Sequence, residues 1–396
     1  MEGLISRETG PVRTFQIAQR WATHYKGGSE RVVDELATYL PQAGIGFTGF
    51  VTGPVTLAQS SGGVFRSFAA EDAGTLTRLR GARSVIGQAI RQERPDVVAS
   101  HFALYAWPVL GALHATRHVA HFHGPWAAEC IQEGGSRWAT PFKKGLERKV
   151  YRSAARIIVL SRAFQEIAIR DYGIPPDRIR VIPGSVNISR FAIPHSRREA
   201  RSLLGWPSER PTLITVRRLV NRMGLSNLIL AMQAIRQQVP KAILMIGGQG
   251  PLRSALEEQV RQAGLQDHVQ FLGFVSDEQL PLAYRAADIN VVPTIELEGF
   301  GLVAAEAMAA GTPSMVTPVG GLPEVVSGLS ADLIFRSSSV NDIAGQLIGA
   351  LSGTSTGAIA LPRDEVCRSY IAAHFNSALM AQRTAEVYRE ALSGSF

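Results

Sequence analysis

Short apolar runs rich in β-branched residues alternate along the whole chain with segments whose apolar residues recur at helical spacing. In the first half, strands are expected at 13–18, 45–51, 96–100, 119–123, 156–160 and 178–182, with helices between them such as 29–40 and 76–91. In the second half, strands are expected at 212–216, 242–246, 269–272, 289–292, 314–316 and 333–335, and helices at 225–238, 252–263 and 301–310. The stretch from 366 to 392 reads as one or two further helices. Near-continuous apolar strands alternating with helices imply parallel sheets covered on both faces, an α/β architecture of two Rossmann-like, doubly wound domains. The pattern restarts after PGSVNISRFAIPHSRREA, where Pro183, Gly184 and Pro194 punctuate a linker. The expected domains are 1–190 and 191–370, and a final helix from about 370 to 396 can pack back on the first. Two such sheets side by side put a cleft between their strand carboxyl ends, where open α/β sheets bind ligands.

One segment departs from ordinary amphipathic patterning. From Gly299 to Val316 the only charged residue is Glu306, in LVAAEAMAA, so this helix has no polar face and is expected to be buried all round. A buried carboxylate is costly unless it is paired or hydrogen-bonded. Glu298 stands just before the helix, and Gly299 and Gly301 flank Phe300 at its entry. Exposed amides and the helix dipole at that entry make an anion site. Eight residues of helix rise about 12 Å, roughly the reach from a sugar ring across a diphosphate to a ribose. The residues alone leave two readings: a ligand-binding acid pair, or a helix-start acid and a core acid paired with a buried arginine.

Composition narrows the field. The 396 residues, 45% of them hydrophobic and 19% charged, suffice for two full cores. Cys130 and Cys367 lie far apart in no metal-binding spacing, and no apolar run approaches a membrane span, which favours a cytoplasmic setting. Net charge is +8, carried by residues 1–194 at +9 against −1 for the remainder. Arg137, Lys143, Lys144, Arg148, Lys149, Arg152 and Arg156 are interrupted only by Glu147. This run reads either as a solvated helix face or as attraction to an anionic, phosphorylated or lipid-linked acceptor, including peripheral contact with the inner membrane face. No aromatic platform or recognition helix accompanies the charge, which argues against nucleic acid.

EGFGLVAAEAMAAGTPSMVTPVGGLPEVV resembles the signature of the family-4 retaining glycosyltransferases, glycosyl transferases group 1, in which two glutamates are separated by seven residues. The likeness continues in order from about Lys26 to the C-terminus, through GGSERVVDELA, PDVVASH, HFHGPW, ARIIVLSRAF, VIPGSVNISRF, RRLVNRMGLSNLILAM, IGGQGPLR and FLGFVSDEQLPLAYRAADINVVPT. The resemblance implies the GT-B fold and a hexosyltransferase that moves a sugar from a nucleoside-diphosphate-sugar, UDP first and GDP-mannose next, to an acceptor hydroxyl. The products would belong to polysaccharide, glycolipid or natural-product biosynthesis. It implies front-face transfer with retention, no metal and no cofactor beyond the nucleotide-sugar.

By this resemblance Glu306 binds the ribose and Glu298 the sugar hydroxyls, while main-chain amides of Gly299, Phe300, Gly301 and Leu302 hold the phosphates. Arg218 stabilises the leaving diphosphate, and His123 hydrogen-bonds the sugar from the opposite wall. Gly28 lies beside the diphosphate, Gly248 and Gly250 let the backbone approach the nucleotide, and Phe274 and Val275 flank the base. Lys26, Gly27, Ser29 and His101 are acceptor-side candidates, with Tyr25 and Arg31 behind them. The chain departs from the pattern at Met223, where the family has a phosphate-binding lysine, and at Arg217, where it often has glycine; Arg222 is a candidate replacement cation. Other readings left open are a nucleotide-sugar epimerase or phosphorylase of the same architecture and a non-catalytic nucleotide-sugar-binding protein. A dinucleotide oxidoreductase is disfavoured because no G-x-G-x-x-G follows the first strand with an acid about 20 residues on.

Overall fold

The computed structural model describes residues 10–21, 27–132, 137–352 and 359–394. Among the described residues, twelve strands form two wholly parallel sheets. The first contains β1 (Val12–Ile17), β2 (Ile45–Thr52), β3 (Phe65–Ala69), β4 (Val97–Ser100), β5 (Arg117–Phe122), β6 (Arg156–Val159) and β7 (Ile179–Val181), in the order β3-β2-β1-β4-β5-β6-β7. The second contains β8 (Thr212–Val216), β9 (Ile243–Gly247), β10 (Val269–Gly273), β11 (Ile289–Val292) and β12 (Ser314–Val316), in the order β10-β9-β8-β11-β12. Strand order reverses between β1 and β4 in one sheet and between β8 and β11 in the other. The carboxyl ends of those pairs are where a doubly wound sheet offers a ligand crevice.

The chain divides into one unit of residues 1–127, 138–183 and 377–396 and a second of 128–137 and 184–376. In this division the residues from Gly184 to Asn376 group with the second unit. The start of that segment is tied to the second unit, because Val186 N–H donates to the Phe375 carbonyl (2.8 Å) and Gly184 lies against the Phe300 ring. Two helices, Glu365–His374 and Ser377–Ser393, occupy the C-terminal stretch, and the latter returns to the first unit. Its Met380, Ala381, Ala385, Val387, Tyr388 and Ala391 share a core with Leu36, Ile45, Val97 and Val119.

Three expectations from the sequence are corrected. The edge strand β3, FRSFA, is broken by an arginine and a serine and gives no continuous apolar signal. Residues 333–335 do not form a full strand: Ala331–Leu333 is a 3-10 turn, followed by a single Val316–Ile334 bridge at the sheet edge. The helix expected over 76–91 is drawn out by a π-helical stretch, Ala82–Ile86, between Thr75–Gly81 and Gly87–Glu93. Among the described residues no helix is long and apolar enough to cross a membrane.

Candidate functional site

In the second unit the candidate residues gather at the carboxyl ends of β8 and β11. Helix Leu302–Ala309 starts from Gly301, whose φ of +97° lets the chain turn sharply into it. Ala304 to Ala309 are all buried, as the missing polar face requires, and Glu306 is buried among them at 4% exposure. The Tyr284 hydroxyl donates to Glu306 Oε2 at 3.4 Å. Glu298 precedes the helix, with its neighbour Leu297 held at φ +53°, a left-handed conformation costly for a side chain of this kind. Arg222 supports that conformation: its Nη1 donates to the Leu297 carbonyl (2.7 Å), and the Ile295 N–H donates back to the Arg222 carbonyl (2.9 Å).

The adjacent arginines after β8 divide inward from outward. Arg217 is buried, and its Nη2 forms an ion pair with Glu298 Oε2, which also receives the Thr294 hydroxyl at 3.4 Å. Arg217 Nη1 is buried without a hydrogen-bond partner. Arg218 is exposed. Met223 is buried in the turn Asn221–Met223, so that position contributes packing rather than charge. Sequence reasoning assigned Arg218 a role and treated Arg217 only as a departure. The available signal was position, since consecutive residues leaving a strand point to opposite sides.

Gly248 and Gly250 are explained by packing within the unit. A side chain at Gly248 would overlap the Arg217 carbonyl, and one at Gly250 would press on Leu219. Phe274 is 59% exposed, available for a planar ligand to stack on, with Val275 half-buried beside it. The Phe300 ring is core, 5.3 Å from Phe375, which leaves only its backbone for a ligand; Gly299 and Leu302 flank it on the same entry turn.

In the first unit, His101 follows β4, and His121 and His123 come from the end of β5. His101 and His121 stack at 4.2 Å between ring centres, and His101 and His123 at 5.3 Å. His101 Nδ1 lies 3.0 Å from His123 Nε2, and His101 Nε2 lies 2.9 Å from Gln16 Oε1. His121 Nε2 meets the Tyr388 hydroxyl at 2.8 Å, and that hydroxyl reaches Gln16 Oε1 at 3.1 Å. Burial holds all three imidazoles below their ordinary pKa, reinforced for His101 and His121 by neighbouring histidines, and brings His123 down to about 4. They are neutral at physiological pH. Nitrogens of the three lie within 4.8 Å of one another, spacing that could gather a metal ion, but hydrogen bonds already engage both nitrogens of His101, His121 Nε2 and His123 Nε2. Sequence reasoning singled out His101 and His123 and missed Gln16, His121 and Tyr388 as their partners.

Gly27 caps helix Gly28–Tyr39 without a side-chain bond, and the Ser29 hydroxyl donates to Glu30 (2.9 Å) in the same first turn. Lys26 and Tyr25 lie outside the described residues. On helix Thr140–Ser153, Lys144, Arg148, Lys149 and Arg152 are exposed, near exposed Trp138 and Phe142.

Comparison with known proteins supplies the context for this geometry. A model of the family described as glycosyl transferases group 1 matches residues 196–362, and one of glycosyltransferase family 4 matches residues 26–190. An uncharacterised glycosyltransferase of Methanocaldococcus jannaschii is 36% identical over 44% of this chain and 45% of its own. The GDP-mannose-dependent alpha-(1-6)-phosphatidylinositol monomannoside mannosyltransferase of Mycobacterium tuberculosis is 35% identical over 43% of this chain and 46% of its own. The chain thus spans less than half the length of these curated relatives. Sucrose-phosphate synthase from Thermosynechococcus elongatus shares the fold with a TM-score of 0.80 at 24% identity, over 97% of this chain and 100% of that one. The fold is GT-B.

Proposed function

The chain belongs to the glycosyltransferases of group 1 and family 4, and on that premise we propose that it transfers a sugar, with retention, from a nucleoside-diphosphate-sugar to an acceptor hydroxyl. The observation that carries this reading is Glu306, a buried carboxylate on a helix with no other polar side chain, eight positions after Glu298 at the helix entry. In the second unit Glu306 binds the ribose, the helix entry at Gly299, Phe300, Gly301 and Leu302 binds the phosphates, and Glu298 binds sugar hydroxyls. Phe274 and Val275 take the base. Exposed Arg218 meets the charge that builds on the departing diphosphate. In the first unit His123 bonds the sugar, and the start of helix Gly28–Tyr39 lies with the acceptor. The acceptor oxygen bonds the anomeric carbon on the face the phosphate leaves, and its proton passes to a phosphate oxygen, without a metal ion. A UDP- or GDP-sugar is the donor; the mycobacterial relative, by its name, depends on GDP-mannose. Exposed Trp138, Phe142 and the basic helix favour an anionic or lipid-linked acceptor.

The test is a thermal-shift screen of UDP-, GDP-, ADP- and dTDP-sugars, followed by transfer assays of Glu298→Gln and Glu306→Ala. A binding donor raises the melting temperature with the logarithm of its concentration. Both variants should fold and lose transfer; wild-type turnover in both would sink the assignment.

A further inference from the structure

The histidine cluster has a polarity that can be read from one end. The Thr14 hydroxyl is 2.8 Å from the Gly46 carbonyl, and a carbonyl can only accept, so the single Thr14 proton lies in that bond. Thr14 Oγ1 must then accept from Gln16 Nε2, which is 2.8 Å away. This fixes the Gln16 amide, so that Oε1 faces His101 Nε2 and the Tyr388 hydroxyl and accepts from both. With its Nε2 protonated, neutral His101 has a bare Nδ1, which accepts from His123 Nε2–H. Tyr388, its proton given to Gln16, accepts from His121 Nε2–H. His123 Nδ1 is then a bare lone pair, buried and without a hydrogen-bond partner. Buried polar atoms are rarely left unbonded, and an imidazole whose pKa burial has depressed does not gain a proton to bind an anion.

We propose that Gln16, His101 and Tyr388 set the polarity of His123, so that its Nδ1 accepts a hydrogen bond from a sugar hydroxyl and selects a neutral sugar over one carrying an anionic group at that point. This rests on the reading of the protein as a sugar-transferring enzyme. Gln16, His101 and Tyr388 are positioning residues, since they act through His123. Gln16 lies on β1, beside Ala99 of β4 and Gly49 of β2, where no ligand contact is needed to explain it.

Two measurements test the proposal. Long-range proton–nitrogen correlation spectra of histidine-labelled protein report each imidazole tautomer. His123 should show a protonated Nε2 and an unprotonated Nδ1 in the wild type. Thr14→Val, which removes the anchor while preserving shape, should mix the tautomers. A protonated His123 Nδ1 in the wild type overturns the polarity. The second measurement uses nucleotide-sugars in which each sugar hydroxyl is replaced in turn by hydrogen or by fluorine, which can accept but not donate. At one position both replacements should weaken binding about tenfold in the wild type and have no effect in His123→Ala. Full binding by every fluoro donor, or losses that persist in His123→Ala, overturns the hydroxyl assignment. If no nucleotide-sugar binds at all, the proposed function and the sugar assignment fall together, and the spectra alone decide the tautomer.

Discussion

Replacing Arg217 with methionine tests whether Glu298 is held by its ion pair or merely lies near it. The Arg217 side chain is 4% exposed and that of Glu298 16%. Removing one partner of a fully buried pair costs about 3–5 kcal/mol, because a carboxylate is left desolvated without its cation. The residual exposure of Glu298 and its bond from Thr294 place the loss at the lower end, about 3 kcal/mol. For a unit of this size that lowers the melting temperature by about 6–12 °C. Adding Glu298→Gln removes the stranded charge, so the double variant should recover about 2 kcal/mol relative to Arg217→Met alone. The assay is scanning calorimetry on the wild type, both single variants and the double, closing a double-mutant cycle. Losses that add to within about 0.5 kcal/mol would refute the coupling. Arg217 would then be a packing residue.

Three further outcomes are expected. Arg218→Ala should lower the transfer rate by about 10²–10³ while leaving the melting temperature within about 2 °C, because the side chain is exposed; measured rate and melting curve check both halves. Acid should destabilise the first unit, since buried His118 and His123 have pKa values lowered to about 3 and about 4 from 6.5. The unfolded chain takes up protons first, so stability falls by about 1 kcal/mol per pH unit per histidine from 6.5 down toward those values, and a melting temperature flat from pH 7 to 5 would contradict this. Gly320→Ala should reduce both stability and transfer, because Gly320 has φ +57° and an added Cβ would overlap the Glu298 carbonyl; unchanged kinetics would show that the Glu298 backbone tolerates the shift.

Much of this protein is written in local patterns. Alternating apolar runs and helical spacing announced two parallel α/β sheets, because each strand and each covering helix must bury its own face. Glu306 stood out because a charge in LVAAEAMAA has no polar side to share, and the helix is buried as that composition demands. The ordered motifs were enough to suggest the family. The short edge strand β3 was not legible, since an interrupted five-residue run lacks periodicity.

What the sequence could not express is partnership across distance. Gln16, His101, His123 and Tyr388 meet because β1 lies beside β4, β4 beside β5, and the last helix returns 372 residues after Gln16. Nothing in the neighbourhood of any one of them encodes the other three. Likewise Arg217 and Arg218 are adjacent letters of equal charge, and only the direction in which β8 ends buries one against Glu298 and leaves the other exposed. Sequence determined which elements form and which charge had to be accounted for; strand order and the return of the final helix decided which polar atoms face one another, because a hydrogen bond depends on positions in space.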